Sequence, residues 1–248
     1  MKADVSIPTP EGDSRAFVFT PNAGDGPWPA AILYMDAPAI RPAMFEMGER
    51  LADAGFYVLL PDVFWRAGPY PPLDIVKARN GDPEMGALFA KLRASTDVEK
   101  QMADTKAYLD WLTTQPQAKP GKVGVTGYCM GGGIALRAAG TFPDRIAAAA
   151  SFHGGNLATD AEDSPHKLAP KITAKLLIAG ADEDRSFDEL QCERLDAALK
   201  EAGVEADVSI WKGARHGWVP TDMPVYNKDA AERHWTELVG LFDETLKA

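Results

Sequence analysis

A cysteine stands among glycines in the run Gly127-Tyr128-Cys129-Met130-Gly131-Gly132-Gly133, directly after the apolar stretch Lys122-Val123-Gly124-Val125-Thr126. A thiol kept only for packing needs no such density of glycine. A nucleophile elbow does, because its reactive residue sits on a sharp, strained strand-to-helix turn where only small neighbours fit two positions before and two after it. Gly127 and Gly131 hold those positions, so Gly-x-Cys-x-Gly carries cysteine where the commoner form has serine. A helix start stabilises a thiolate, and the free backbone N–H of Met130 points where an oxyanion would form. The glycines fit neither the Gly-x-Gly-x-x-Gly dinucleotide fingerprint nor a phosphate loop ending in Gly-Lys-Ser/Thr.

A thiol at an elbow needs a base, and in this architecture the chain order is nucleophile, acid, histidine. The acid is expected in Gly180-Ala181-Asp182-Glu183-Asp184, just past an apolar strand. Asp182 is nearest the strand end and is the preferred candidate, while Asp184 reaches the site only if the turn is longer. The base is expected in Gly213-Ala214-Arg215-His216-Gly217-Trp218, where His216 sits on a glycine-flanked loop at the same sheet edge. The other histidines fit less well. His153 follows a strand but precedes any candidate acid, His166 lies in a polar loop over 160–170, and His234 in a terminal helix reads as a surface or packing residue. Trp65, Tyr70 and Trp218 are aromatic candidates for a substrate pocket, with core packing as the alternative.

These residues need a scaffold, and the apolar pattern supplies one. Short buried-type runs at 30–34, 56–60, 122–126, 146–152, 175–179 and 207–211 alternate with helical periods at 42–54, 98–114, 132–140, 187–202 and 229–246. That alternation predicts an α/β protein with a mainly parallel central sheet flanked by helices. Residues 61–96, with Trp65, Tyr70, Phe89 and weak periodicity, read as an insertion serving as a lid, a binding loop or a cover for a sheet edge. The 248 residues, 46% hydrophobic and 25% charged, suit a single domain over 1–248.

Composition bounds the partners. Lys plus Arg total 26 against 36 Asp plus Glu, a net charge of -10, which is the wrong sign for binding nucleic acid. Neither a signal peptide nor a membrane-spanning apolar stretch is evident, so a soluble, cytoplasmic protein without a membrane partner is expected. Cys129 and Cys192 are the only cysteines and read as free thiols. No CxxC or His-x-x-x-His spacing points to a metal, and no cofactor is implied. A monomer or small homo-oligomer acting on a small molecule is expected.

Gly127-Tyr128-Cys129-Met130-Gly131-Gly132, together with Gly180-Ala181-Asp182 and Arg215-His216-Gly217, resembles the elbow, acid and histidine loops of the dienelactone hydrolases, cysteine members of the α/β-hydrolase superfamily. Tyr34-Met35-Asp36, Leu60-Pro61-Asp62 and Phe142-Pro143-Asp144 extend the likeness over most of the chain. The resemblance implies the α/β-hydrolase fold and hydrolysis of a carboxylic ester or lactone (carboxymethylenebutenolidase-like) through an acyl-thioester on Cys129. It also implies that Ala37 supplies the second oxyanion N–H. Asp36 takes the place of a thiol-modulating glutamate and is one methylene shorter. An arginine that follows the family's histidine is missing from Gly217-Trp218-Val219-Pro220, so the dienelactone substrate itself is not carried over. The alternatives are a thioesterase or other activated-acyl hydrolase, and a non-catalytic binding or redox-sensing member of the fold.

Overall fold

The structure, a computed structural model, describes residues 1–247. Two strands at the N-terminus, β1 (Lys2–Thr9) and β2 (Gly12–Phe19), form an antiparallel hairpin, and β2 pairs antiparallel with β4 (Tyr57–Pro61). From there β3 (Ala30–Tyr34), β5 (Val123–Tyr128), β6 (Ile146–Phe152), β7 (Lys175–Asp182) and β8 (Ala206–Arg215) extend the sheet with every pairing parallel. The eight strands lie in the order β1-β2-β4-β3-β5-β6-β7-β8. Every residue of β3, β4 and β5 is buried, as parallel strands covered on both faces require.

Helices α1 (Pro42–Asp53) and α7 (Lys228–Leu246) cover one face, tied to each other by Arg50, whose guanidinium donates to both oxygens of Glu232 at 2.8 and 2.5 Å. On the opposite face α5 (Met130–Thr141) packs against β5 and β6, flanked by α4 (Val98–Leu112), and α6 (Glu189–Glu201) lies against β8. Helix α7 is capped by Asn227, whose side chain accepts from the Ala230 N–H, and it buries Trp235, Leu238, Leu241 and Phe242 at helical spacing. Each such side chain contributes about 1.5–3 kcal/mol by burial.

The mainly parallel sheet flanked by helices matches the expectation, and the expected strands and helices appear with shifted ends. The hairpin does not match, since neither β1 nor β2 was expected. In β1 only Ile7 is buried, so the strand lacks an apolar run, and Pro8 is tolerated at a sheet edge. The stretch 61–96 is also more regular than its composition predicts, containing α2 (Ile75–Arg79) and α3 (Pro83–Ala94). Helix α3 buries only Leu92 and so shows no apolar stripe. Its start is fixed instead by Pro83 in the first turn and by Asp82, whose side chain accepts from the Met85 N–H. In α6, Leu195 and Leu199 are buried as a helical face requires, but Leu190 is 64% exposed.

Candidate active site

Four loops at the carboxyl ends of β3, β5, β7 and β8 converge, the edge where open α/β sheets hold ligands. At the end of β5, Cys129 has φ 54° and ψ -114°, and α5 begins at Met130. The left-handed backbone of a non-glycine residue is the strain of an elbow. Close approach explains the flanking glycines. A Cβ on Gly127 would strike the Gly131 carbonyl, and a Cβ on Gly131 would strike the carbonyls of Tyr34 and Met35. The Cys129 N–H is shared between the Phe152 carbonyl oxygen and Nδ1 of His153, both at 3.1 Å.

His216 follows β8, and its Nδ1 lies 2.6 Å from Oδ2 of Asp184. Its other side faces the Cys129 thiol. Burial pushes the imidazole toward the neutral form, but the hydrogen bonds and charges of Asp184 and Cys129 outweigh it and raise the pKa to about 10. Burial likewise opposes ionisation of Asp184, yet His216 and the hydroxyl and N–H of Ser186 hold that carboxyl down at about 2. An imidazolium between carboxylate and sulfur is the charged state this geometry favours.

The carboxylate that meets His216 is therefore that of Asp184, where the sequence favoured Asp182. Strand β7 runs on to Asp182, which pairs in register with Arg215 of β8. Its carboxylate accepts from the Gly213 N–H at 2.9 Å and sits 3.4 Å from the Lys212 ammonium, closing the sheet end. The chain then turns at Glu183, with φ 54°, and brings Asp184 back over the site with its side chain 8% exposed.

Asp36 meets a different partner. Its carboxylate takes a two-pronged hydrogen bond from Arg41, at 2.5 and 2.9 Å, and makes no hydrogen bond to the thiol. Burial pushes Asp36 up, against the pull of Arg41. None of the three aromatic pocket candidates lines the Cys129 cavity. Trp65 donates to Asp104, Tyr70 donates to Asp62, and both border a separate hollow, while Trp218 is fully buried against His153 and Trp211. Ala37 and Met130 do border it. Met130, as the first residue of α5, has no acceptor for its N–H inside the helix.

The cavity above Cys129 and His216 measures about 470 Å³. Phe89 of the 61–96 segment lines it, as do residues not singled out from sequence: Arg79 and Arg93 from the same segment, Arg137 from α5, and Asn156 and Ser186 from loops. Arg137 is the only charged residue of α5 and stands two helical turns beyond Cys129, which is the signal that could have found it. Its Nε and Nη2 donate to the Asp163 carbonyl, and Nη1 lies over Gly133, where a Cβ would come within 3.2 Å. Arg93 donates to the sulfur of Met130 at 3.0 Å. Among the described residues no three His, Cys, Asp or Glu side chains gather as a metal site, and no helix is long and apolar enough to cross a membrane.

Two of the other histidines are fully buried. His153 is fully buried with its Nδ1 engaged by the Cys129 N–H; burial, reinforced by the charge of His216, holds it neutral. His234 is equally buried, its Nε2 2.9 Å from the Tyr128 hydroxyl under the elbow.

Comparison with known proteins supports this assembly at the level of family and fold. A Synechocystis sp. protein that carries carboxymethylenebutenolidase as a provisional name is 27% identical over 98% of this chain and 96% of its own length. Protein usf of Aquifex pyrophilus is 32% identical over 81% of this chain and 80% of its own. The crystal structure of a provisionally assigned dienelactone hydrolase from Klebsiella pneumoniae superposes with a TM-score of 0.84 at 21% identity, covering 98% of both chains, which shows the α/β-hydrolase fold. The sequence profile of the Dienelactone hydrolase family matches residues 14–246, from the second strand to the last helix, and the chain belongs to that family.

Proposed function

We propose that the protein hydrolyses a carboxylic ester or lactone through an acyl-thioester on Cys129. The observation that carries the reading is His216 held between Asp184 and the Cys129 thiol beneath a cavity that Met130 and Ala37 also border. The thiolate attacks the carbonyl carbon, forming a C–S bond, and the oxyanion is received by the N–H groups of Met130 and Ala37. As the tetrahedral adduct collapses, the C–O bond breaks and the His216 imidazolium gives its proton to the departing alkoxide. The neutral imidazole then takes a proton from water, whose oxygen attacks the thioester. The C–S bond breaks, the acid leaves, and the thiolate–imidazolium pair is restored.

The guanidinium groups of Arg79, Arg93 and Arg137 around the same cavity favour a substrate that carries negative charge near the scissile bond. The 61–96 segment, which supplies two of them, acts in this reading as a binding insertion. Thioesters fit the same chemistry, since the triad fixes acyl transfer and leaves the departing group open. A screen of esters, lactones and thioesters against wild type and Cys129→Ala tests the proposal. Turnover by wild type that vanishes in the variant supports it, whereas a wild type inert to every acyl compound would favour a binding or sensing role.

A further inference from the structure

Arg41 occupies the N-cap of α1, where it makes no side-chain cap bond, and no acidic residue follows in the first turn. A cation is the wrong sign at a helix N-terminus, and arginine is not among the residues that cap one. Its contacts lie elsewhere. Nη1 donates to Asp36 Oδ1 at 2.5 Å and to the Ala39 carbonyl at 3.2 Å, Nη2 to Asp36 Oδ2 at 2.9 Å and Asp222 Oδ1 at 3.1 Å, and Nε to Asp222 Oδ2 at 2.6 Å. The planar fork thus holds two carboxylates at once, a task a lysine cannot perform.

The two carboxylates belong to different parts of the catalytic centre. Asp36 immediately precedes Ala37, in a tight turn closed by the Ala39 N–H on the Asp36 carbonyl at 3.2 Å, with Ala39 at φ 70°. Asp222 lies on the loop that follows His216, and its neighbour Thr221 donates to Glu46 of α1 at 3.0 Å. The inner end of the clamp is dry, with Arg41 and Asp36 side chains 11% and 4% exposed, while Asp222 is 42% exposed. A left-handed alanine persists only where its surroundings hold it.

We propose that Arg41 is a positioning residue that locks the loop carrying the Ala37 N–H to the loop carrying His216. Oxyanion donor and base then keep one spacing around Cys129. The inference rests on the acyl-transfer reading above. It assigns Asp36 an anchoring role, and it makes the oxyanion site depend on a residue outside the cavity lining.

Three variants test it: Asp222→Ala, which cuts the tie at its exposed end; Arg41→Lys, which keeps a cation beside Asp36 but cannot bridge both carboxylates; and Arg41→Met. The readouts are kcat and KM for p-nitrophenyl acetate and the rate of Cys129 alkylation by iodoacetamide against pH. Alkylation needs the thiolate but no oxyanion hole. Misplacing a reacting group by about 1 Å costs about 100-fold, so kcat is expected to fall about 10- to 100-fold in Arg41→Lys and Arg41→Met, and less in Asp222→Ala, with KM within about threefold. The alkylation profile is expected to stay close to that of wild type. Folded Arg41→Lys and Asp222→Ala proteins with wild-type kcat would overturn the clamp, as would hydrolysis and alkylation falling in parallel. Failure of the underlying reading looks different: wild type turns over no ester, or Cys129→Ala keeps the activity, and the clamp's catalytic role falls with it.

Discussion

Asp184, and not the neighbouring Asp182, meets His216: its Oδ2 lies 2.6 Å from Nδ1, while the Asp182 carboxylate is engaged by the Gly213 N–H across the sheet end. Two carboxylates separated by one residue therefore have unrelated tasks. Replacing Asp184 by asparagine is expected to lower kcat by about 10³-fold or more, because the imidazole loses both its orientation and the charge that stabilises its protonated form. Asp182→Asn should leave kcat within about threefold and lower the stability slightly through the weakened bond to Gly213. Steady-state kinetics and urea titration of both variants check this. Loss of turnover in Asp182→Asn alone would reverse the assignment.

The pH profile follows from the same pair. With His216 raised to about 10, an imidazolium able to protonate a leaving group persists through neutral pH. Hydrolysis is expected to decline on the alkaline side as pH approaches 10. In Asp184→Asn the largest upward influence on His216 is weakened, so the alkaline limb moves to lower pH. Profiles of kcat/KM against pH for both proteins decide the point, and superimposable limbs would contradict it.

His234 predicts an acid-sensitive fold. Burial holds this imidazole neutral, with its pKa lowered from 6.5 to about 3, beside the Tyr128 hydroxyl. The folded pKa is depressed, so the stability concerned is present above pH 6.5 and is lost as pH falls from there through about 3. His153, pushed down in the same direction, adds to the effect. His216, whose folded pKa is raised, keeps its contribution throughout that acidic window. A His234→Gln variant retains a partner for Tyr128 without the titration, and it should lose about 1.4 kcal/mol less than wild type for each pH unit between 6 and 4. Urea titrations at those pH values measure the difference, and equal losses would remove His234 as the cause.

Arg137 predicts selectivity for charge. Its guanidinium is largely buried at the cavity wall, and its nearest carboxylate, Asp163, is 3.9 Å away and mostly exposed. Arg137→Gln is expected to raise KM for an ester bearing a carboxylate by about tenfold, the equivalent of one charge-assisted hydrogen bond, while KM for a neutral ester of the same size changes little. An equal change for both esters would mean that Arg137 only shapes the wall.

Gly240 predicts a stabilising substitution. It lies inside α7, and a Cβ there would meet nothing within 4 Å. Gly240→Ala should stabilise the protein by about 0.5–1 kcal/mol through lower backbone entropy in the unfolded chain, seen as a higher Tm with unchanged kcat. A lower Tm would show that the position needs the bare backbone.

The parts of this architecture legible in the sequence were those whose chemistry is local. Gly127, Cys129 and Gly131 announce an elbow because the turn's steric demand falls on adjacent residues, and β3, β5 and β6 announce themselves as short, mostly apolar runs. What stayed hidden depends on distance. Asp182 and Asp184 differ only in how far β7 continues, and that is set by pairing with Arg215 on another strand. Asp36 has no local mark of its partner, because the second carboxylate on Arg41 is Asp222, far along the chain. The arginines of the cavity sit on α2, α3 and α5, where only the folded arrangement turns them toward Cys129. Strand β1 and helix α3 escaped for the opposite reason, burying too little for periodicity to register.

The support beneath the elbow comes from the end of the chain. His234, on helix α7, stands against Tyr128, the residue that precedes Cys129, and His216 is supplied only shortly before it. On the ribosome, where folding proceeds from the N-terminus, Cys129 is made before His216 and His234 emerge. A nascent chain therefore carries the elbow sequence before the imidazoles that stand against it in the fold, and the site assembles only after both have been made.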